Sequence, residues 1–463
     1  MEPVDLLVRG GTVVLAPGSP DVPEGGLMRA DLAVEGGRIV EIGSEIAVAA
    51  REVLDAEGTI VFPGIVDAHV HFNEPGRAKW EGLASGSAAL AAGGGTSFFD
   101  MPLNSLPPVL DGASFEAKRE AAERSSRLDF GLWGGLVPGN LDRLGELAEK
   151  GVVGVKAFLC DSGVSEFACV PDAATLRQGM RRAAALGLLV AVHAEDDALA
   201  REHTEAQRRR GLTDPRAWLA SRPVAVELAA IDRVLELAGE TGCALHVVHV
   251  SSPEGLERIA AARDRGVDVT AETCPHYLLL NDEDVIRQGA VAKCAPPLRD
   301  EARRRELWRR LDAGQVDTLG SDHSPAPPAL KSAEDFFAVW GGISGCQHGF
   351  PLLLSEALAR GPAAEVLPRL AALLAGNVAR RFRIDRRKGA VAVGLDADFS
   401  LLRLGEEAAL DNGELLYRHR QGPYAGRACR VRVLRTVLRG RTVYAPGNQE
   451  TEWPQGELLR PER

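Results

Sequence analysis

A short run near the start of the chain, Asp67-Ala68-His69-Val70-His71-Phe72, sets two imidazoles two residues apart in an otherwise apolar segment. On a β-strand, residues i and i+2 share a face, so His69 and His71 can converge on one point in space. Two neutral ring nitrogens at one point suit a divalent ion, although a lone pair is equally well explained by two rings satisfied by hydrogen bonds. Similar polar endings recur downstream. Lys156 ends Gly-Val-Lys-Ala-Phe, His193 ends Val-Ala-Val-His-Ala-Glu, His246 and His249 lie in Leu-His-Val-Val-His-Val-Ser-Ser, and Asp322 sits in Gly-Ser-Asp-His-Ser. Each has a plain structural reading by itself: a hydrogen-bonded core histidine, a snorkelling lysine, an aspartate capping a helix. All of them at the same end of successive strands would leave a core full of unpaired polar groups, each destabilising by several kcal/mol. A metal centre resolves this, because imidazole and carboxylate are ordinary ligands of zinc, manganese, cobalt and iron. A protonated lysine would repel such ions, whereas a neutral one can add carbon dioxide and become a carbamate whose two oxygens each hold a metal.

The elements that must position these groups form a repeating pattern. Eight apolar, strand-like pieces (VFPGIVDAHVHF, GTSFFDMP, FGLWGGLV, GVVGVKAFL, LLVAVHAE, ALHVVHVSS, DVTAETCPHYL and QVDTLGSDHS) are each followed by a longer helix-suited segment rich in Ala, Leu, Glu and Arg. That alternation predicts an α/β fold, a (β/α)8 TIM barrel over residues 61–388. An open dinucleotide-binding sheet would alternate in the same way, but no Gly-x-Gly-x-x-Gly follows the first strand. The Gly93-Gly94-Gly95 run reads as a tight helix-to-strand turn. Residues 1–60 and 389–463 are short strands with glycine punctuation, which predicts a small composite β-sandwich domain formed by the N- and C-terminal segments. Within it, Gly10-Gly11 and Gly36-Gly37 are expected to be hairpin turns. Residues 325–350 begin Pro-rich and end Gly-rich, a composition suited either to a segment folded over the barrel mouth or to an ordinary rigid loop.

Composition excludes several classes of function. Of the 463 residues, 26% are charged and 45% hydrophobic, and the formal net charge is -11 without a long basic run, so no nucleic-acid partner is expected. No apolar stretch reaches the roughly 20 residues that a bilayer requires, and the first residues are acidic where a secretory leader would be basic, so no membrane partner and a cytoplasmic location are expected. The seven cysteines lack paired Cys-x-x-Cys spacing, which points to reduced, mostly packing thiols.

The chain resembles the cyclic amidohydrolases of the amidohydrolase superfamily, through GIVDAHVHFNEPGR (64–77), FFDMPLNSLPP (98–108), GVKAFLCDSGVSEF (154–167), VHAE (192–195), HVVHVSS (246–252), TAETCPHYL (270–278), KCAPPLRD (293–300) and LGSDHSP (319–325). These stretches run from the first barrel strand to the last. The resemblance implies a binuclear centre: His69 and His71 on the more buried metal, Lys156 as a carbamylated bridge (N6-carboxylysine), and His193 and His249 on the second metal. Asp322 would bind the first metal and act as the catalytic acid/base. By the family pattern the ligand in HVVHVSS is His249, with His246 its structural neighbour. The two divalent ions are expected to be Zn2+, with Mn2+, Co2+ and Fe2+ also suited to the ligand set. A water activated between them would attack a ring carbonyl. Within the family, Asn73 stands where dihydroorotases carry an arginine, and the stretch after Lys156 lacks the tyrosine of dihydropyrimidinases and hydantoinases. Asn73, MPLNS and CDSG together resemble the allantoinase branch, which implies hydrolysis of a hydantoin-ring amide. The rival readings are a dihydropyrimidinase or hydantoinase, a dihydroorotase in which Arg77 supplies the cation, and a non-catalytic scaffold, which would be expected to have lost ligands. Substrate contacts are expected from Asn73, Ser162, Gly163, Asn281, Cys294 with the backbone that follows it, and His323. The partners expected are a small cyclic amide and further copies of the chain, as a homodimer or homotetramer.

Overall fold

The computed structural model describes residues 3–16, 26–447 and 456–462. Its centre is a ring of eight parallel strands in chain order: Ile65–Val70, Gly95–Asp100, Asp129–Leu132, Val155–Phe158, Val190–His193, Leu245–Val247, Val269–Thr273 and Thr318–Leu319. Nearly every residue in them is buried, as expected for strands packed inward on one face and covered by helices on the other. Ring closure uses two short connections. Gly134–Gly135 continues the third strand to pair with Val155 and Lys156, and Val70 bridges to His323 beyond the eighth strand. The His71 N–H donates to the His323 carbonyl over 2.8 Å, which fixes the first and last strand ends against each other.

Local chemistry sets where the covering helices begin. Asp111, Asp172, Asp196, Asp214, Ser252 and Asp300 each accept a hydrogen bond from the backbone N–H three residues on, satisfying a donor the first helical turn leaves free. The triple glycine is the predicted turn: helix Leu83–Ala92 ends, Gly94 takes φ 91°, and the second strand starts at Gly95. A Cβ on Gly93 would lie 2.3 Å from the Cys346 carbonyl oxygen, so the close approach requires glycine there.

The terminal segments meet in one mixed eight-stranded sheet. Val4–Leu15 pairs with Gly26–Glu35, Ala50–Asp55 and Ile60–Pro63, and Ile60–Pro63 pairs in turn with Phe399–Ala409, which leads on to Ala428–Leu438 and Arg441–Tyr444. Gly36-Gly37, with φ of 58° and 79°, makes the expected two-residue hairpin turn. Gly10-Gly11 does not. It lies inside the first strand as a bulge, with Gly10 at φ 72°, and a Cβ on Gly11 would meet Val61 at 2.5 Å. Sheet and barrel are joined by a buried cation: Lys388 lies 2.6 Å from Asp129 at the start of the third barrel strand, 2.6 Å from Asp398 and 2.9 Å from Asp396.

Candidate metal centre and active site

The C-terminal ends of the barrel strands bring His69, His71, Lys156, His193, His249 and Asp322 to the wall of one cavity. The three groups from the first and last strands form one set: Asp322 Oδ1 lies 3.2 Å from His69 Nε2 and 3.4 Å from His71 Nε2. His193 Nδ1 and His249 Nε2, 3.1 Å apart, form another. Ligand atoms about 2.0–2.1 Å from a tetrahedral ion stand about 3.3 Å from one another, so both sets have the spacing of donors around one ion each.

Two carboxylates turn the rings toward those points. Glu272 Oε1 lies 2.7 Å from His69 Nδ1, which leaves Nε2 free for the cavity. Glu195 Oε2 lies 2.8 Å from His193 Nε2, which leaves Nδ1. A carboxylate on the second ring nitrogen sets the tautomer and raises the basicity of a metal-binding imidazole. Neither carboxylate stood out in the sequence. The available signal was an acidic residue inside an apolar strand end, in VHAE and TAET, where an unpaired charge would be strongly destabilising. Phe158 stacks on the His193 ring with centroids 4.6 Å apart and planes 11° from parallel, fixing that ring from its face.

Lys156 lines the same cavity, near enough to His69, His193 and His249 for its charge to act on all three. It is fully buried, and its Nζ has no hydrogen-bond partner. Burial pulls its amine down to about 8, against the pull of Asp322 and Glu272, so the neutral fraction near neutral pH is far larger than for an exposed lysine, though still the minority form. Burial likewise lowers His69, His193 and His249, keeping the rings neutral and their lone pairs available. For Asp322 burial acts upward, but His69 and His71 outweigh it and hold the carboxyl well below the usual range. His249 and Asp322 adopt φ of 42° and 44°, and Asn73 and Asn104 lie at 64° and 68°. Left-handed backbone in residues other than glycine is strain of a kind that collects at functional sites.

The remaining expected contacts divide. Ser162 and Ala295 line the cavity. Asn281 does not reach it: its Oδ1 caps helix Asp282–Gln288 and its Nδ2 donates to Glu301. His323 is turned away, accepting from the Gly345 N–H and lying 3.5 Å from Glu81, so its place is beside the Asp322 backbone rather than against substrate. The Asn73, Gly163 and Cys294 side positions are also outside the lining, Asn73 being buried with both amide atoms unpartnered. Arg77 is engaged by Glu166 and the Asn104 carbonyl and offers no cation to the cavity. His246 bonds Thr270 behind the site. The 325–350 segment supplies Trp340, Gly341 and Gly342 to the wall. It is pinned by Lys331, which donates to the carbonyls of Ala290, Trp340 and Gly342, and by Lys293, which donates to those of Phe336, Phe337 and Val339.

This fold and donor set define a metal-dependent hydrolase, and the chain belongs to the amidohydrolase family, whose model matches residues 60–443. Over its full length it is 52% identical to the allantoinase of Rubrobacter xylanophilus, 99% of which is covered. It is 52% identical to that of Deinococcus radiodurans, with 99% of each chain covered, and 42% identical to that of Escherichia coli, with 98% of each covered. Among solved structures, the L-hydantoinase (dihydropyrimidinase) of Arthrobacter aurescens superposes with a TM-score of 0.93 at 32% identity, over 99% of this chain and 100% of that one. The predicted barrel with its terminal sheet, the cyclic-amide hydrolase class and the allantoinase resemblance are thereby borne out. Family and geometry together imply a binuclear divalent-metal site.

Proposed function

We propose that the chain is an allantoinase that hydrolyses the ring amide of allantoin to give allantoate, using His69, His71, Lys156, His193, His249 and Asp322 as metal ligands. The observation that carries the reading is the pairing of two ligand sets at tetrahedral spacing with the buried, unpartnered Lys156 on the same cavity wall. Lys156 as a carbamate would add the anion that two dications require, and zinc suits the nitrogen-rich donors best. Two divalent ions held there supply an acidified water and a polarised ring carbonyl. Asp322 takes the proton of the attacking water and passes it to the departing ring nitrogen, a role that needs a carboxylate ionised at rest, as this one is. Glu272 and Glu195 hold the His69 and His193 rings in place through both steps, and Trp340 limits water access from the 325–350 segment. Ser162 is the expected substrate contact that remains at the wall.

Full-length identity of 52% to proteins named allantoinase, against 32% to a hydantoinase, favours allantoin over simple hydantoins. Residues 61–388 are proposed as the catalytic domain, with 1–60 and 389–463 as the composite domain, and the active form as a homodimer or homotetramer. A reducing, cytoplasmic setting accords with seven free cysteines; among the described residues, no helix is long and apolar enough to cross a membrane. The deciding assay compares kcat/KM for allantoin, hydantoin, dihydrouracil and dihydroorotate after loading with zinc, manganese or cobalt in bicarbonate. The expected result is a clear preference for allantoin, and a preference for any other ring would overturn the substrate assignment.

A further inference from the structure

The CDSG run and one residue distant from it in sequence meet at the cavity wall without a part in the chemistry described so far. Arg222 follows helix Pro215–Ser221 and lines the cavity together with Cys160, Asp161 and Ser162. Its guanidinium is held rigidly: Nη1 donates to Glu195 Oε2 over 2.8 Å, the group lies 4.6 Å from the Trp218 ring centroid, and its backbone carbonyl accepts from Arg299. Its side chain is 16% exposed, yet Nε is buried and has no hydrogen-bond partner. The exposed remainder of the guanidinium, not the buried Nε, is what a ligand in the cavity can reach, and a charged N–H there makes a strong hydrogen bond to a carbonyl. The Cys160 sulfur is a side-chain hydrogen-bond partner of the Arg222 guanidinium, and the next residue, Asp161, is exposed on the same wall with one carboxylate oxygen accepting from the Gly163 N–H.

Resting on the allantoin reading, we infer that Arg222 and Asp161 form the subsite for the ureido arm of the substrate, the part that distinguishes allantoin from bare hydantoin. The arm ends in a carbonyl, which accepts from a guanidinium, and an amino group, which donates to a carboxylate. The pairing of one cation with one anion suits this neutral donor–acceptor arm. It disfavours a substrate carboxylate, because Glu195 already neutralises Arg222 and Asp161 would repel a second negative charge. Arg222 also shares Glu195 with His193, so a guanidinium shifted by the wrong arm would disturb the orientation of a ligand ring.

The test is the ratio of kcat/KM for allantoin to that for hydantoin, in which any general loss from a loosened Glu195 cancels. It is measured on the metal-loaded full chain for wild type, Arg222→Met and Asp161→Ala. The ratio is expected to fall by about 10- to 100-fold in Arg222→Met, as for a lost hydrogen bond to a charged group, and by about 3- to 10-fold in Asp161→Ala. A ratio within about twofold of wild type in either variant removes that residue from the subsite, and in both overturns the inference. A wild-type enzyme that does not prefer allantoin to hydantoin would instead defeat the underlying substrate assignment, before any variant is read.

Discussion

At the scale of single residues, the proposed centre depends on carboxylates that hold its imidazoles from behind. Glu272 and Glu195 each orient one imidazole, and partners of this kind typically account for about 10- to 100-fold in metal affinity. Glu272→Gln is therefore expected to lose metal to a chelator about 10-fold or more faster than wild type, with activity returning in excess metal; unchanged metal retention would mean that the His69 ring needs no such partner. Asp322→Asn keeps a side-chain oxygen but cannot hold or deliver the proton, so kcat should fall by about 10²- to 10⁴-fold. Residual activity above that range would assign proton transfer elsewhere. For Lys156, the low amine pKa predicts a carbon dioxide adduct visible by native mass spectrometry of the metal-loaded enzyme and absent from Lys156→Ala.

At the scale of elements, the strands deliver the ligands and the loops shape what enters. Candidate ligands were legible in the sequence in two ways: strand periodicity put His69 and His71 on one face, and the family resemblance supplied the roles expected of Lys156, His193, His249 and Asp322. The loop residues were not legible in that way. Asn281 and His323 stand near the right strand ends, but helix capping consumes the first and the barrel seam turns the second outward. The 325–350 segment shows the same dependence on contacts. Lys331 ties three of its surrounding carbonyls together, so Lys331→Met should raise KM for allantoin and speed hydrogen exchange across residues 325–343, with smaller effects elsewhere. Exchange protection equal to wild type would show that Lys293 and Trp340 packing hold the segment unaided.

At the scale of the whole molecule, barrel and terminal sheet are one body because Lys388 is shared by Asp129, Asp396 and Asp398. Among the described residues Asp129 keeps Arg439 and Asp396 keeps Arg387, so removing Lys388 strips chiefly Asp398 of its cation, and breaking a buried pair of this kind is destabilising by about 3–5 kcal/mol. Lys388→Met is expected to lower the unfolding midpoint accordingly while the folded fraction binds its full metal complement. A midpoint unchanged from wild type would assign the joint to other contacts across it, such as the hydrogen bond from the Thr436 hydroxyl to the Ala91 carbonyl.

The sequence alone determined the alternation of strands and helices, the strand ends rich in polar groups, and residue types able to hold a divalent metal, since all three follow from local periodicity and side-chain chemistry; the expectation of two metals came from the family resemblance. Tertiary structure decided which carboxylates orient the rings, that Gly10-Gly11 is a bulge and not a turn, and that Arg222 shares a cavity wall with Asp161. These depend on which distant segments come into contact. Such contacts are set by packing and by the pairing of buried charges across the fold, and neither leaves a periodic mark in the chain.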